Sequence, residues 1–497
     1  MTRIRRTMGQ NGRMAAETDR GTDLLVADLE AAIGSERVAV GGGARRLYSR
    51  DSSIIAGGRA GPVCFAESTD DVAACVRVAT AHGRAFVARG AGTGLSGGAV
   101  PCNEPVVIVT TRMNRILEVD LDRRLAWVEP WVVNLDLTRH LAGSGLHFAP
   151  DPSSQQACTI GGNVANNSGG PHCLAYGVTS AHVVALEVVL PDGSVVVLGD
   201  ELCDATGYDL RGVFVGSEGT FGIATRIAVR LTPDPPAVRT LLLDFMDIAD
   251  AAETVSAIIA AGVVPAAMEM MDQGVVAAVE PFVGAGYPLD AAAVLIVELD
   301  GLPAGVSLEV DLVAEMGRAH GARTVRVAAD EEERARIWKG RKNAFGAIAH
   351  IKPGYYLHDT VVPRTRLAEV VAEINEAVER LDLIVMHVFH AGDGNLHPLL
   401  VFDPREPGVM DRVAAAGEEI VRISLAAGGV LSGEHGIGLE KRRFMPMLFT
   451  PADLAAQLRL RRAFDTQGLA NPLKILPTSA SCGDVMGLGT VPEGVWT

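Results

Sequence analysis

The chain has 497 residues, of which 48% are hydrophobic and 21% are charged. This length exceeds what one hydrophobic core organises, so we expect two domains, and the composition excludes a disordered or fibrous protein. The formal net charge of -16 disfavours binding to nucleic acid or to anionic lipid, because both are negatively charged.

The cysteines and the N-terminus indicate in which compartment of the cell the protein is expected. Seven cysteines are scattered without a CxxC pair, which indicates neither a disulfide framework nor an iron–sulfur site and suits a reducing cytoplasm. The N-terminus contains arginines but no apolar core of a signal peptide, so residues 1–22 are interpreted as a disordered tail, with a transit peptide as the second interpretation. No later stretch is apolar for long enough to predict a membrane span.

The first half of the chain predicts one helix and then short strands separated by glycine-rich turns. Apolar spacing favours an amphipathic helix from Leu24, and Asp192-Gly193 is a strong signal for a hairpin turn. Proline-rich residues 232–238 predict a domain boundary. The strand-like stretches are 106–110, 125–130, the hairpin 186–199, and 222–233.

The second half alternates strands with longer helices, which predicts an α+β domain. The predicted helices are 248–262, 305–322, 331–349 and 366–381, and the predicted strands are 292–301, 323–328, 384–389 and 398–402. We therefore divide the chain into a first domain at 23–236, a second domain at 237–478, and a tail at 479–497.

Three glycine-rich stretches lie in the first domain, at residues 87–98, 159–170 and 216–223. Glycine lets successive backbone N–H groups point toward one anion, such as a phosphate. A single stretch fits a tight turn equally well, and a Rossmann unit fits poorly because residue 98 is followed by a strand-like run rather than a helix. Together the three predict a large phosphate-bearing cofactor held by backbone amides.

The stretches RGAGTGLSGGA, APDPSSQQACTIGGNVANNSGGPHCLAYG and GSEGTFGI resemble the FAD-binding domain of the vanillyl-alcohol oxidase (PCMH-type) family. The second half is similar to the FAD-linked oxidase C-terminal domain of D-2-hydroxy acid dehydrogenases, and the resemblance extends to the flavoprotein subunits of bacterial glycolate oxidases. It implies a two-lobed PCMH-type domain followed by an α+β substrate domain with a mainly antiparallel sheet. The FAD contacts that it implies are Arg89, Gly90, Ala91, Gly92, Thr93, Gly94, Pro150, Ser153, Thr159, Gly162, Asn163, Tyr176, Glu218, Ile223 and Asn471.

Two positions depart from the family pattern near the flavin. Several members attach FAD covalently through a histidine in the first glycine-rich loop, where this chain has Thr93, so we predict noncovalent FAD. Leu473 replaces the glycine of the family's NPGK element, which begins at Asn471.

His390 and His397 flank a short polar loop between two apolar strands, where cross-strand neighbours point to one face. Two hydrogen-bonded polar residues at a loop would give the same pattern. Glu434 and His435 lie in a second, glycine-flanked loop. The resemblance implies that His390, His397 and Glu434 bind a divalent cation, zinc or manganese, and that His435 is the catalytic base. Two nitrogen ligands and one carboxylate with open positions are typical of a catalytic metal site.

The resemblance also assigns Arg341 to the substrate carboxylate, although an exposed helix arginine is an alternative for that position. Leu357 stands where relatives that act on dicarboxylates have lysine, which favours a small monocarboxylate such as glycolate or D-lactate. The chain would oxidise this acid with FAD and the metal. A metal-dependent hydrolase and a noncatalytic flavoprotein subunit are the alternative functions.

The chain has no cysteine cluster for iron–sulfur centres and no CxxCH for haem, so its electrons must pass to an external acceptor. In the glycolate oxidase family the partners are a second flavin-domain subunit and an iron–sulfur subunit. We therefore expect a cytoplasmic protein that reaches the inner membrane only through its partner subunits.

Overall fold

The structure, a computed structural model, describes residues 21–55, 57–202 and 207–478. Residues 1–20 and 479–497 of the two predicted tails lie outside the described residues. Residues 21 and 22 of the predicted N-terminal tail are helical, like the residues up to 33, and this helical stretch buries Leu25, Leu29 and Ile33.

A four-stranded sheet carries the first glycine-rich stretch. Val106–Val109 lies between Val63–Phe65 and Phe86–Arg89 and pairs with both in parallel, and Val38–Ala39 joins the edge in antiparallel orientation. Helix Thr69–Ala81 connects two of the parallel strands. The strand Phe86–Arg89 ends directly before the first glycine of this stretch. The sheet therefore fixes where the glycine-rich loop begins.

A five-stranded antiparallel sheet lies beside the four-stranded one, and we call the part of the chain with these two sheets the first lobe and the part that begins with the strand Ala237–Phe245 the second lobe. The strands of the five-stranded sheet, in spatial order, are Ile116–Asp120, Leu125–Val128, Ile223–Arg230, Val183–Val189 and Val195–Gly199. The predicted hairpin is confirmed, since Val189 pairs with Val195. Gly193 has a φ of 81°, which explains the need for glycine in this turn.

A nine-stranded sheet organises the second lobe, and all its strand pairs are antiparallel. Its main path is Thr324–Val327, Ala237–Phe245, Ala293–Gly301, Ala267–Asp272, Ile384–His390, Asn395–Leu396 and Thr360–Val361. Off this path, Pro398–Phe402 pairs with both Ile384–His390 and Gly354–Leu357. The predicted α+β class with a mainly antiparallel sheet is therefore confirmed.

Both faces of the nine-stranded sheet are covered by apolar cores. Leu241 and Leu243 enter one core, whereas Leu242 enters the other, as expected for alternating side chains on a strand. Among the described residues, no helix is long and apolar enough to cross a membrane.

Helices cover these sheets and link them. The α-helices after the first are Gly42–Leu47, Thr69–Ala81, Asn134–His140, Ile160–Asn166, Cys173–Tyr176, Leu210–Phe214, Ile248–Ala260, Gln273–Val283, Pro303–Ala319, Glu331–Ile348, Leu367–Arg380, Val409–Ala426, Met445–Leu448 and Pro451–Phe464. Short 3-10 helices are Ser35–Arg37, Thr179–Ala181, Arg364–Arg366 and Arg442–Phe444.

The proline-rich stretch contains the strand Thr232–Pro233, which pairs with Leu146–His147. The nine-stranded sheet begins shortly afterwards, at Ala237. The division into domains at residue 236 stays a prediction. The chain later returns to the first lobe, where Ala470 forms a bridge with Phe86.

Candidate functional site

A cavity of about 480 Å³ lies where the glycine-rich turns of the first lobe meet the second lobe. The predicted cofactor residues that line it are Arg89, Gly90, Ala91, Gly92, Thr93, Gly94, Ser153, Thr159, Gly162, Asn163, Glu218, Ile223 and Asn471. The turns are tightly packed, since a Cβ on Gly90 would lie 2.9 Å from the Thr159 hydroxyl oxygen.

Pro150 and Tyr176 were also predicted to contact the cofactor, but neither lines this cavity. The Pro150 carbonyl accepts a hydrogen bond from Asn134 at 2.9 Å, and the Tyr176 hydroxyl donates to Asp300 of the second lobe. Pro152 and Ser153, close to Pro150 in the chain, do line the cavity, whereas the residues next to Tyr176 are not part of its lining.

Two polar atoms in the cavity lining fit a phosphate-bearing ligand. The Ser217 hydroxyl and Nε of Arg89 are buried, and neither has a hydrogen-bond partner in the described part of the chain. Buried polar groups in proteins are nearly always paired, so these two point to a bound acceptor. The residues present therefore fit FAD.

The three predicted metal ligands converge. Nε2 of His390 and Nε2 of His397 lie 3.3 Å and 3.2 Å from Oε1 of Glu434. One ligand atom from each residue lies within 4.8 Å of the others. The donor set of two imidazoles and one carboxylate fits a divalent transition metal.

The strand register differs from the expected one. His390 lies opposite Asn395 and His387 lies opposite Pro398, so His390 and His397 are not directly opposed. The reason is the tight turn after His390, because it places Asn395, two residues before His397, opposite His390. The two rings are still neighbours, with centroids 5.0 Å apart.

Each ligand histidine is oriented through its other ring nitrogen. Nδ1 of His390 lies 2.6 Å from Oε1 of Glu269, and Nδ1 of His397 lies 3.3 Å from the carbonyl oxygen of His358. Both contacts favour Nδ1–H and leave Nε2 free to coordinate a metal. His387 is instead hydrogen-bonded to Asn375 at 2.8 Å.

The Asp359 carboxylate holds the loop that carries Glu434 and His435. It accepts hydrogen bonds from the backbone N–H groups of Gly433 and His435, each at 3.0 Å, and forms an ion pair with Lys441 at 3.3 Å. Burial alone would raise the pKa of Asp359, but Lys441 and the neighbouring histidines outweigh it and hold this pKa well below its ordinary value. Asp359 is therefore charged when it binds the loop.

His435 contacts the predicted metal ligand His397 and faces the cavity. Its ring stacks on the ring of His397 with centroids 5.2 Å apart and an interplanar angle of 6°. It also lines the cavity of the glycine-rich turns. Burial is the largest cause that lowers the pKa of His435 to about 4, so the imidazole is neutral at pH 7.

First-lobe side chains bind the same loop. The Ser96 hydroxyl donates to the His435 carbonyl at 2.8 Å, and Glu218 accepts from the backbone N–H groups of Ile437 and Gly438 at 2.7 and 2.8 Å. Gly436 has a φ of 85°, and a Cβ there would lie 2.7 Å from the Glu218 carboxylate. The predicted cofactor residue Glu218 thus also anchors the loop of the second lobe.

Arg341 was predicted to bind the substrate carboxylate, and that role stays a prediction. The structure buries its side chain to 1% exposure, and its Nε donates to Oε2 of Glu269 at 2.7 Å. Leu357, in contrast, lines the cavity.

Glu269, Asp359 and Lys441 were not predicted from the sequence. The available signal for Glu269 was a charged residue inside an apolar run, the strand AMEMMD, because such a charge is costly to bury without a partner. Lys441 lies in the charged run EKRR, which gives no such signal.

Comparison with known families defines the class of protein. Residues 61–199 match the family described as "FAD binding domain", and residues 234–475 match "FAD linked oxidases, C-terminal domain". The chain is therefore an FAD-linked oxidoreductase.

Curated relatives make the assignment more specific. Glycolate oxidase subunit GlcD of Escherichia coli (strain K12) is 45% identical over 398 residues, which is 80% of this chain and 80% of the relative. Glycolate oxidase subunit GlcD of Bacillus subtilis (strain 168) is 38% identical over 437 residues, with 88% and 93% covered. The probable mitochondrial D-lactate dehydrogenase of Danio rerio is 30% identical over 474 residues, with 94% of each chain covered. This chain belongs to the family of FAD-linked hydroxy acid oxidoreductases that includes glycolate oxidase subunit GlcD.

Solved structures confirm the PCMH-type fold. p-Cresol methylhydroxylase with bound substrate has a TM-score of 0.78 at 17% identity, covering 92% of this chain and 96% of that chain. 4-Ethylphenol oxidase from Gulosibacter chungangensis has a TM-score of 0.77 at 19% identity, covering 92% and 98%.

Proposed function

We propose that this protein oxidises a small D-2-hydroxy acid, glycolate or D-lactate, to the 2-oxo acid. The observation that carries the proposal is the position of His435, which stacks on the proposed metal ligand His397 and also lines the proposed flavin cavity. A proton acceptor in that position serves an alcohol that is held by a metal beside a flavin.

FAD, when bound, supplies a hydride acceptor at N5, and a divalent cation, zinc or manganese, supplies a Lewis acid for the substrate hydroxyl. The glycine-rich turns would hold the FAD, and His390, His397 and Glu434 would hold the cation. The same three ligands could serve a hydrolase, but the family assignment favours oxidation.

The protein's own residues would divide the remaining work. His435 removes the hydroxyl proton through its ring, which the Asp359-bound loop keeps against His397. Arg341 remains our proposed source of positive charge for the substrate carboxylate. Leu357 presents an apolar wall at the position where relatives that act on dicarboxylates have lysine, which supports a small monocarboxylate. Lys342 also lines the cavity.

We further propose an external electron acceptor. The relatives from Escherichia coli and Bacillus subtilis are named as subunits, which supports partner proteins for this chain. The proposed partners are a second flavin-domain subunit and an iron–sulfur subunit. We propose a cytoplasmic location, with contact to the inner membrane through these partners.

FAD is expected to be noncovalently bound, because Thr93 stands where covalent relatives have histidine. Acid precipitation of the purified protein should therefore release the yellow chromophore into the supernatant. Yellow colour that stays in the washed pellet would contradict this expectation.

Metal removal should abolish turnover and leave FAD bound, since the proposed metal ligands and the glycine-rich turns are different residues. Dialysis against a chelator followed by activity, flavin and metal assays tests this. Zinc or manganese should restore the rate, whereas calcium should not, because imidazole ligands suit transition metals. Full activity in a demonstrably metal-free sample would refute the metal site.

The His435→Ala variant should retain FAD and metal. Its flavin should be reduced by the substrate about 10²–10⁴-fold more slowly, which is the usual contribution of a positioned acid–base group. Stopped-flow absorbance measures this rate. His320→Ala is a matched control, because His320 is a partly exposed histidine at the end of the helix Pro303–Ala319 and should leave the rate unchanged. A rate for His435→Ala close to that of the control would assign the proton to another group.

The isolated chain should reduce artificial dyes rapidly and oxygen slowly, because its proposed acceptor is a partner protein. An oxygen electrode and a dye assay on the same preparation compare the two rates. Rapid stoichiometric peroxide formation by the single chain would instead show a self-sufficient oxidase.

A further inference from the structure

Glu269 and Arg341 form a buried ion pair directly behind a proposed metal ligand. Their side chains are 0% and 1% exposed. Oε2 of Glu269 accepts from Nε of Arg341 at 2.7 Å, and Oε1 of the same carboxylate lies 2.6 Å from Nδ1 of His390. One carboxylate thus joins the arginine to the ligand histidine.

Stability alone gives little reason to retain such a pair. Burying two charges costs about as much as their attraction returns, and apolar residues of similar volume often replace a buried pair without loss of stability. A buried pair that touches a ligand histidine therefore points to a role at the site.

The sheet fixes the contact with His390. Glu269 and His390 are directly opposed residues of the paired strands Ala267–Asp272 and Ile384–His390. With its hydrogen on Nδ1, the imidazole directs Nε2 toward Glu434, where the Nε2 lone pair would bind the cation that both residues are proposed to hold. Nδ1 of His397 contacts a backbone carbonyl, so of the two proposed ligand histidines His390 is the one whose Nδ1 contacts a side chain.

We propose that Glu269 is a positioning residue for His390 in the metal site, and that Arg341 holds the Glu269 carboxylate in place. This inference rests on the proposed function, because it takes His390, His397 and Glu434 to hold a divalent cation.

The test uses paired substitutions, so that no buried charge is left alone. Glu269→Leu/Arg341→Met removes the acceptor for Nδ1–H, whereas Glu269→Gln/Arg341→Met retains an oxygen acceptor. Zinc affinity of each FAD-loaded protein is measured by competition with a chelator. We expect the Leu variant to bind zinc about 10–100-fold more weakly than wild type, and the Gln variant to recover part of that loss.

Glu298→Gln/Arg334→Met is the matched control. Arg334 and Arg341 lie on the same helix, Glu331–Ile348, and Glu298 is likewise a buried acid of the nine-stranded sheet, 3.0 Å from Nε of Arg334. This variant also loses an ion pair that a buried acid makes, but the pair does not contact His390. Its zinc affinity should equal that of wild type, while thermal unfolding and flavin content report the folding of every variant.

Unchanged zinc affinity in Glu269→Leu/Arg341→Met would overturn the inference while leaving the metal site intact. Absence of zinc binding by the wild-type protein would remove the metal site itself, and the inference with it.

The role of Arg341 is decided by the KM for substrate, measured at saturating zinc. Recovery of wild-type KM in the Gln variant supports action through Glu269, whereas a KM that stays raised would show direct contact with the substrate carboxylate.

Discussion

The site depends on the hydrogen bonds that the loop at residues 433–435 donates to the Asp359 carboxylate. Hydrogen bonds to a charged group contribute about 1.5–3 kcal/mol each, and this carboxylate makes several, to backbone N–H groups and to the Ser432 hydroxyl. Lys441 supplies the opposite charge. Because the loop carries both Glu434 and His435, one buried carboxylate sets the position of a proposed metal ligand and of the proposed base.

The same loop joins the two lobes. Ser96 and Glu218 of the first lobe bind its backbone, and Asn471, near the end of the described chain, donates to the carbonyls of Gly98 and Glu218. A shift of the loop would therefore disturb the cavity and the metal ligands together. This coupling suits a reaction in which a proton and a hydride leave neighbouring atoms of one small substrate.

Local sequence patterns predicted much of the fold, and Asp192-Gly193 specified its hairpin. The resemblance to a known family, rather than local pattern, implied that His390, His397 and Glu434 meet although more than 35 residues separate His397 from Glu434. Glu269 and Asp359 were not predicted, because the sequence does not show which strands become neighbours in a nine-stranded sheet. The histidine register was also misjudged, since a tight turn shifted the pairing that simple alternation suggested.

The central claim is that a small 2-hydroxy acid passes its hydride to the flavin in this cavity. Anaerobic mixing of the FAD-loaded protein with glycolate, D-lactate, L-lactate and D-2-hydroxyglutarate, followed by flavin absorbance, tests it most directly. We expect glycolate or D-lactate to bleach the flavin fastest, and the dicarboxylate to be slow because Leu357 stands where relatives that act on dicarboxylates have lysine. A flavin that stays oxidised with every acid, or that the dicarboxylate bleaches fastest, would contradict the account.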